Sequence, residues 1–171
     1  MKHEKSDRVP YIEWAKEENS YCTLTPGDVV DYTYLVNHIV KTAKINDWNI
    51  KEIAYDPYSA EYCTQDLENK GFTRVKVPQR VSWLSEPTKF FKKLVLEGKL
   101  VHDGSPLLTW CVSNAVTTTD HQENIMLSKK NRNDTQRIDL LAASINALSR
   151  GMSVLKPRTS LFYVPKRRLK G

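Results

Sequence analysis

The amino-acid sequence predicts an α/β domain in which helices flank a mixed or parallel central sheet. The chain has 171 residues, 40% of them hydrophobic, which is enough for one buried core. Between residues 21 and 77, apolar residues recur alternately at strand spacing and at helical spacing. The connections between these segments are brief, which is typical of sheets whose strands are joined by helices.

The first half of the chain is expected to alternate between strands and helices. A strand over Tyr21–Thr25 ends at the turn signal Pro26-Gly27-Asp28. Asp31 is placed to cap a helix that ends near Asn46. The elements expected next are a strand over Ile50–Tyr55, a helix from Ser59 to Gly71 and a strand over Phe72–Val77.

The second half is predicted to be mainly helical. A helix is expected over Glu86–Glu97, and the apolar segment Leu107–Val116 fits either a strand or a buried helix. Asn124–Arg132 is polar and is expected to be a loop. The last helix is predicted to begin at Asn133 or Asp134, the latter being a simple cap, and to end at Gly151.

Charge is distributed unevenly along the chain. Residues 1–151 are expected to form one domain, and residues 152–171 are expected to form a basic C-terminal tail. This tail has no acidic residue and could hold a short strand at Ser160–Val164. The formal net charge is +6, with 26 Lys and Arg against 20 Asp and Glu. A basic balance favours a polyanionic partner such as nucleic acid, although a solvated tail is the simpler interpretation.

Composition argues against several protein classes. No run approaches the ~18 apolar residues of a membrane-spanning helix, and residues 1–18 lack the apolar core of a secretory signal. Cys22, Cys63 and Cys111 are too few and too scattered for a disulfide framework or a cysteine zinc site. There is no Walker-type phosphate loop. A reducing cytoplasm is the expected location.

Asp56 is the first candidate functional residue. It follows an apolar strand, and Pro57 turns the chain out of the sheet directly after it. Ligands of open α/β sheets collect beyond the carboxyl ends of strands, so a carboxylate at this point is expected to face a cleft. The alternative is an ordinary turn aspartate before proline.

Asp139 is the second candidate, expected about one turn into the last helix. Its neighbours Ile138 and Leu141 are apolar, and Asn146 follows about two turns later along the same side. A carboxylate bordering a buried face needs a partner, and a divalent cation is one. A favourable interaction with the helix macrodipole is a sufficient structural explanation.

Two carboxylates that meet at a sheet edge would suit Mg²⁺ or Mn²⁺, because these ions prefer oxygen ligands. Two such ions can activate water against a phosphodiester, although a third acid is normally needed. The four histidines form no metal-binding motif, and His102-Asp103-Gly104 is more typical of a turn than of a ligand. A cysteine–histidine nucleophile is the third, weakest interpretation.

Five ordered segments together carry a family pattern, and they are Arg8–Ala15, Leu24–Tyr32, Ala54–Tyr58, Leu100–Ala115 and Arg137–Leu148. These segments, which cover most of the chain from Arg8 to Gly151, resemble the C-terminal nuclease domain of the tailed-phage terminase large subunit. The resemblance implies a ribonuclease-H-like fold with a mixed central sheet and helices on both faces. It also implies an endonuclease that cuts concatemeric double-stranded DNA during viral genome packaging, using acidic residues and Mg²⁺ or Mn²⁺.

The resemblance assigns Asp56 to the end of the central strand and Asp139 to the final helix, both as catalytic metal ligands. His102, Asn114 and Arg137 lie in matching segments without an assigned role. The partners it implies are DNA, the portal protein, the small terminase subunit and the terminase ATPase domain.

The chain also departs from the pattern of this family. No counterpart of the family's first catalytic aspartate precedes Asp56, since Asp7, Asp28 and Asp31 lie outside any apolar strand. The chain is therefore expected to be an N-terminally incomplete nuclease domain without the ATPase motor, such as a fragment or a prophage remnant. The alternative function is a catalytically inactive module that binds DNA or the portal.

Overall fold

The structure is a computed structural model that describes residues 7–16, 22–27, 29–58, 60–130 and 135–154. These residues contain six helices and four strands. In chain order they are α1 (Tyr11–Lys16), α2 (Tyr32–Ile45), β1 (Ile53–Tyr55), α3 (Glu61–Asn69), β2 (Arg74–Lys76), α4 (Val81–Leu96), α5 (Pro106–Ser113), β3 (Ala115–Thr119), β4 (Ile125–Lys129) and α6 (Asp139–Val154). The predicted α/β class is confirmed.

The strands form one parallel and one antiparallel pair. β1 and β2 are parallel, with Ile53 opposite Arg74 and Tyr55 opposite Lys76. β3 and β4 form an antiparallel hairpin that pairs Ala115 with Lys129. Within the described residues the two pairs remain separate two-stranded sheets.

Helices cover both faces of the parallel pair. On one face, Ile53 packs against a buried cluster shared by α2 and α3, formed by Val36, Cys63 and Leu67. On the other face, Ala54 packs against a second cluster, formed by Val77, Leu84, Leu141 and Ile145. Alternate residues of a strand point to opposite faces, so this short strand is covered by helices on both sides, with Ile53 and Ala54 partly buried.

Several sequence predictions hold locally. Asp31 caps α2, because its side chain accepts a hydrogen bond from the Tyr34 backbone N–H at 2.9 Å. The segment Leu107–Val116, which fitted either a strand or a helix, contains both, since α5 ends at Ser113 and β3 begins at Ala115. None of the described helices is long and apolar enough to cross a membrane.

Other element predictions are wrong. No strand forms over the described part of Tyr21–Thr25, and the third long helix begins at Val81 rather than Glu86. The polar segment Asn124–Arg132 contains β4, whose apolar residues Met126 and Leu127 pack on the second core cluster. The predicted strand at Ser160–Val164 lies outside the described residues.

Candidate active site

Asp56 lies immediately after β1, as predicted, and is half-buried. Its Oδ1 accepts a hydrogen bond from the Tyr58 backbone N–H at 2.9 Å, which closes a tight turn around Pro57. The backbone of Val77, just beyond β2, donates to the Tyr55 carbonyl at 2.9 Å. The two strands therefore end side by side, and Asp56 stands at their common carboxyl edge.

Asp139 is the first residue of α6 and is exposed, which corrects the prediction that it lies one turn inside a longer helix. The described residues that precede it, 135–138, are not helical. A carboxylate in the first turn of a helix is stabilised by the positive end of the macrodipole. Asn146 is buried and accepts a hydrogen bond from the Gln79 amide at 3.3 Å, so it has a structural partner of its own.

The direction of β1 relative to α6 places the two aspartates at the same end of this packed pair. Glu52, just before β1, is bound by Arg150 through two hydrogen bonds of 2.7 and 3.0 Å. Gln79, which lies beyond the end of β2, contacts Asn146. Asn146 is one turn nearer the beginning of α6 than Arg150 is. The strands therefore advance toward the first turn of α6.

Element lengths agree with this placement. At about 3.3 Å per residue, the backbone advances about 13 Å from Glu52 to Asp56. At about 1.5 Å per residue, the helix covers about 16 Å from Arg150 back to Asp139. Asp56 and Asp139 therefore lie toward the same end of the packed pair, although they are separated by more than eighty positions in the sequence.

A buried ion pair precedes Asp139, and it involves a residue that sequence reasoning dismissed. Asp7 is only 2% exposed at its side chain, where Oδ2 accepts from Arg137 Nε at 3.2 Å and from the Tyr11 hydroxyl at 2.8 Å. Burial, followed by this hydrogen bond, raises the pKa of Tyr11 well above its usual range. Asn114, itself buried, donates to the Arg137 carbonyl at 3.1 Å.

The charges of this ion pair extend to Asp139. Burial lowers the pKa of Arg137, but the hydrogen bond and charge of Asp7, together with the charge of Asp139, raise it above its ordinary value overall. Arg137 therefore stays protonated and lies between two carboxylates, one buried and one exposed. Aromatic packing secures the helix that follows Asp7, because the rings of Tyr11, Trp14 and Trp110 stand 5.9–6.4 Å apart.

The cysteines do not have the environment of a catalytic thiol. Cys63 and Cys111 are buried, and burial raises the pKa of both thiols. Burial also raises the pKa of Cys22. Because a nucleophilic cysteine needs a lowered pKa and access to substrate, the structure argues against the cysteine interpretation.

The acidic residues fit a divalent metal in type but not in number. Carboxylate oxygens are the ligands that Mg²⁺ and Mn²⁺ prefer, and Asp56 and Asp139 are residues of this type. No group of three His, Cys, Asp or Glu residues suited to a metal occurs among the described residues. His102 Nδ1 accepts from the Gly104 backbone N–H at 3.0 Å in an exposed turn, as its sequence context predicted. The two aspartates are therefore fewer than a metal site needs. Of the predicted basic tail, residues 152–154 belong to α6, which continues past its predicted end at Gly151, and the remaining residues lie outside the part of the chain that the structure describes.

Comparisons with known proteins point in a single direction. A family model described as the terminase large subunit endonuclease domain matches residues 1–153. Protein YmfN of Escherichia coli strain K12 is 29% identical over 142 residues, which cover 83% of this chain and 31% of YmfN. The terminase large subunit of Enterobacteria phage HK97 is 30% identical over 141 residues, which cover 81% of this chain and 27% of that protein.

The crystal structure of the HK97 bacteriophage large terminase has a similar fold. Its TM-score is 0.74 at 28% sequence identity, and the match covers 87% of this chain and 30% of that chain. This likeness confirms the ribonuclease-H-like α/β fold class expected from the sequence. The chain spans about a third of the length of the relatives it matches.

Proposed function

The chain belongs to the terminase large subunit endonuclease-domain family, and we propose that it cuts concatemeric double-stranded DNA during phage genome packaging. The family supports a role in packaging and a nuclease activity. We further propose that cutting requires a divalent metal ion and takes place in the host bacterial cytoplasm.

Asp56 and Asp139 are the residues proposed to hold the metal and to be essential for cutting. The observation that supports this assignment is the direction of β1, which runs toward the first turn of α6, so that Asp56 at the carboxyl edge of the strands and Asp139 lie toward the same end of the packed pair. Two bound Mg²⁺ or Mn²⁺ ions would supply an activated water and charge neutralisation at the phosphate. A further acid from outside the described residues is needed to complete the ligand set.

The test is cleavage of supercoiled plasmid by the 171-residue chain with Mn²⁺, with Mg²⁺ and with EDTA. Asp56→Asn and Asp139→Asn are expected to lower the rate at least about 100-fold while leaving the circular dichroism spectrum unchanged, since each removes a charged oxygen ligand. Asp66→Asn is the matched control, because Asp66 is an exposed aspartate on α3. Metal-dependent cutting that survives both substitutions would refute the assignment.

A second candidate function is a DNA- or portal-binding module without activity. The observation that favours it is the incomplete ligand set of the described residues. On this hypothesis a folded chain binds DNA equally with and without metal, and affinity falls steeply with salt because phosphate contacts dominate. The basic tail is proposed to contribute, so a chain ending at residue 155 should bind more weakly and show a smaller salt slope.

The proposed partners are DNA, the portal protein, the small terminase subunit and the terminase ATPase domain. They rest on family membership, with the basic balance of the chain as added support for DNA.

A further inference from the structure

The surface around Asp56 carries unusually exposed aromatic side chains. Tyr58 is 97% exposed and Tyr62 is 88% exposed, the two highest values among the large apolar and aromatic residues of the described chain. Both lie within six positions of Asp56, in the turn after β1 and the first turn of α3. The buried face of α3 is formed by Cys63, Thr64 and Leu67 instead, so these two rings do not serve the core.

Local structure holds the backbone of this turn while leaving the rings free. The Asp56 carboxylate binds the Tyr58 backbone N–H, and Thr64 Oγ1 donates to the Ala60 carbonyl at 2.8 Å. Neither phenol group hydrogen-bonds to another residue that the structure describes. Exposed tyrosine rings on a fixed backbone lose little conformational entropy when they bind, which is why tyrosine is enriched at binding surfaces.

The segment after the neighbouring strand adds an exposed cation and a third aromatic ring. The loop after β2 begins beside β1, because Val77 donates to the Tyr55 carbonyl. This loop leads to Arg80, which forms no ion pair with any described residue, and to Trp83, which is 50% exposed. The segments that follow the two strand ends therefore carry exposed aromatic rings and one exposed arginine.

The chemistry of these side chains selects the part of DNA that they can contact. A cation next to Asp56 would pair with its carboxylate, whereas an aromatic ring can stack on a base without affecting that charge. Stacking requires the face of a base, and a base in an intact duplex is already stacked on both sides. Rings at this edge therefore fit nucleotides that are unpaired.

We propose that Tyr58 and Tyr62 stack on unpaired bases next to the cutting site, so that the chain prefers DNA whose strands are locally separated. The inference rests on the proposed function, since it takes DNA as the substrate. It adds that local separation of the DNA strands, and not only the base sequence, determines where the chain binds. Arg80 is placed to contact the phosphate backbone of the same strand.

The experiment measures fluorescence anisotropy of a labelled duplex and of the same duplex with a central unpaired bubble. EDTA is present, so that binding is read without cutting. The wild-type chain should bind the bubble more tightly. Tyr58→Ala/Tyr62→Ala should weaken bubble binding at least about tenfold and duplex binding less than about twofold, because stacking is lost only from unpaired bases.

Two further variants separate stacking from other effects. Tyr58→Phe/Tyr62→Phe should bind like the wild type, since phenylalanine keeps the ring and loses only the hydroxyl. Tyr32→Ala is the control for losing an exposed tyrosine elsewhere, on α2, and should bind both DNAs normally.

Three results would overturn the inference: no wild-type binding of either DNA, no preference for the bubble, or an equal loss of affinity for both DNAs in the alanine variant. None depends on cleavage. Failure of the proposed metal ligands would appear instead as unchanged cutting by Asp56→Asn, so the two proposals can fail separately.

Discussion

Replacing Asp7 by alanine should destabilise the chain by about 2–3 kcal/mol. Asp7 is 2% exposed and accepts from Arg137 and from the Tyr11 hydroxyl, so the substitution leaves a cation and a phenol without their partner. Breaking a fully buried ion pair costs about 3–5 kcal/mol. Arg137 is 36% exposed and regains some hydration, which lowers the expected cost to the range of one or two charged hydrogen bonds.

The assay is urea denaturation followed by tryptophan fluorescence, since Trp14 and Trp110 pack around Tyr11. In a thermal melt of the same variant, the melting temperature should fall by about 5–10 °C, since a chain of this size loses about 2–4 °C per kcal/mol. Asp66→Ala is the control, because this exposed aspartate of α3 should change stability by less than about 0.5 kcal/mol.

A double-mutant cycle tests whether the pair itself is responsible. Asp7→Ala combined with Arg137→Met should be less damaging than the sum of the single changes by at least about 1 kcal/mol. Additive effects, or an Asp7→Ala chain within about 0.5 kcal/mol of the wild type, would show that the contact contributes little and that the reasoning is wrong.

Two further predictions concern pH and thiols. The hydrogen bond from Arg150 is the main cause that lowers the pKa of Glu52. The stabilisation from the Glu52–Arg150 pair should therefore be complete above pH 4.5, the ordinary pKa of glutamate. It should be lost as the pH falls through the lowered pKa of Glu52. Stability curves measured against pH should show a smaller acid loss in Glu52→Gln than in the wild type, and parallel curves would contradict this. Iodoacetamide should leave metal-dependent plasmid cutting unchanged, because Cys63 and Cys111 are buried. Loss of cutting before any unfolding would instead support the cysteine hypothesis.

Local signals predicted those parts of the fold whose cause lies within a few residues. Asp31 accepts from the Tyr34 backbone N–H because both belong to one helical turn, so spacing alone was sufficient. β1 and β2 were also predicted, since each lies in a short segment with regularly placed apolar residues that ends close to a proline, Pro57 or Pro78. In contrast, β4 was hidden because its apolar centre is short and polar residues flank it. Its strand conformation depends on pairing with β3.

The first turn of α6 shows why the details of the site could not be predicted. Periodicity alone extends this helix back to Asp134, whereas residues 135–138 are not helical and the Arg137 carbonyl accepts from the Asn114 side chain, a contact that sequence spacing does not reveal. The acid that pairs with Arg137 comes from position 7, 130 residues away. No local pattern marks Asp7, because its role depends on a contact that exists only after folding.

The two ends of α6 are fixed by separate polar contacts, and this is what relates Asp139 to Asp56. Arg150 binds Glu52 at the beginning of β1, whereas Asp7 and Asn114 hold residue 137 just before the first turn of the helix. Core packing between them, through Leu141 and Ile145, is non-directional and would tolerate a small slide of the helix. The polar contacts are directional, so they set the register of α6 against β1. The position of Asp139 along this pair therefore depends on residues other than the proposed ligands themselves.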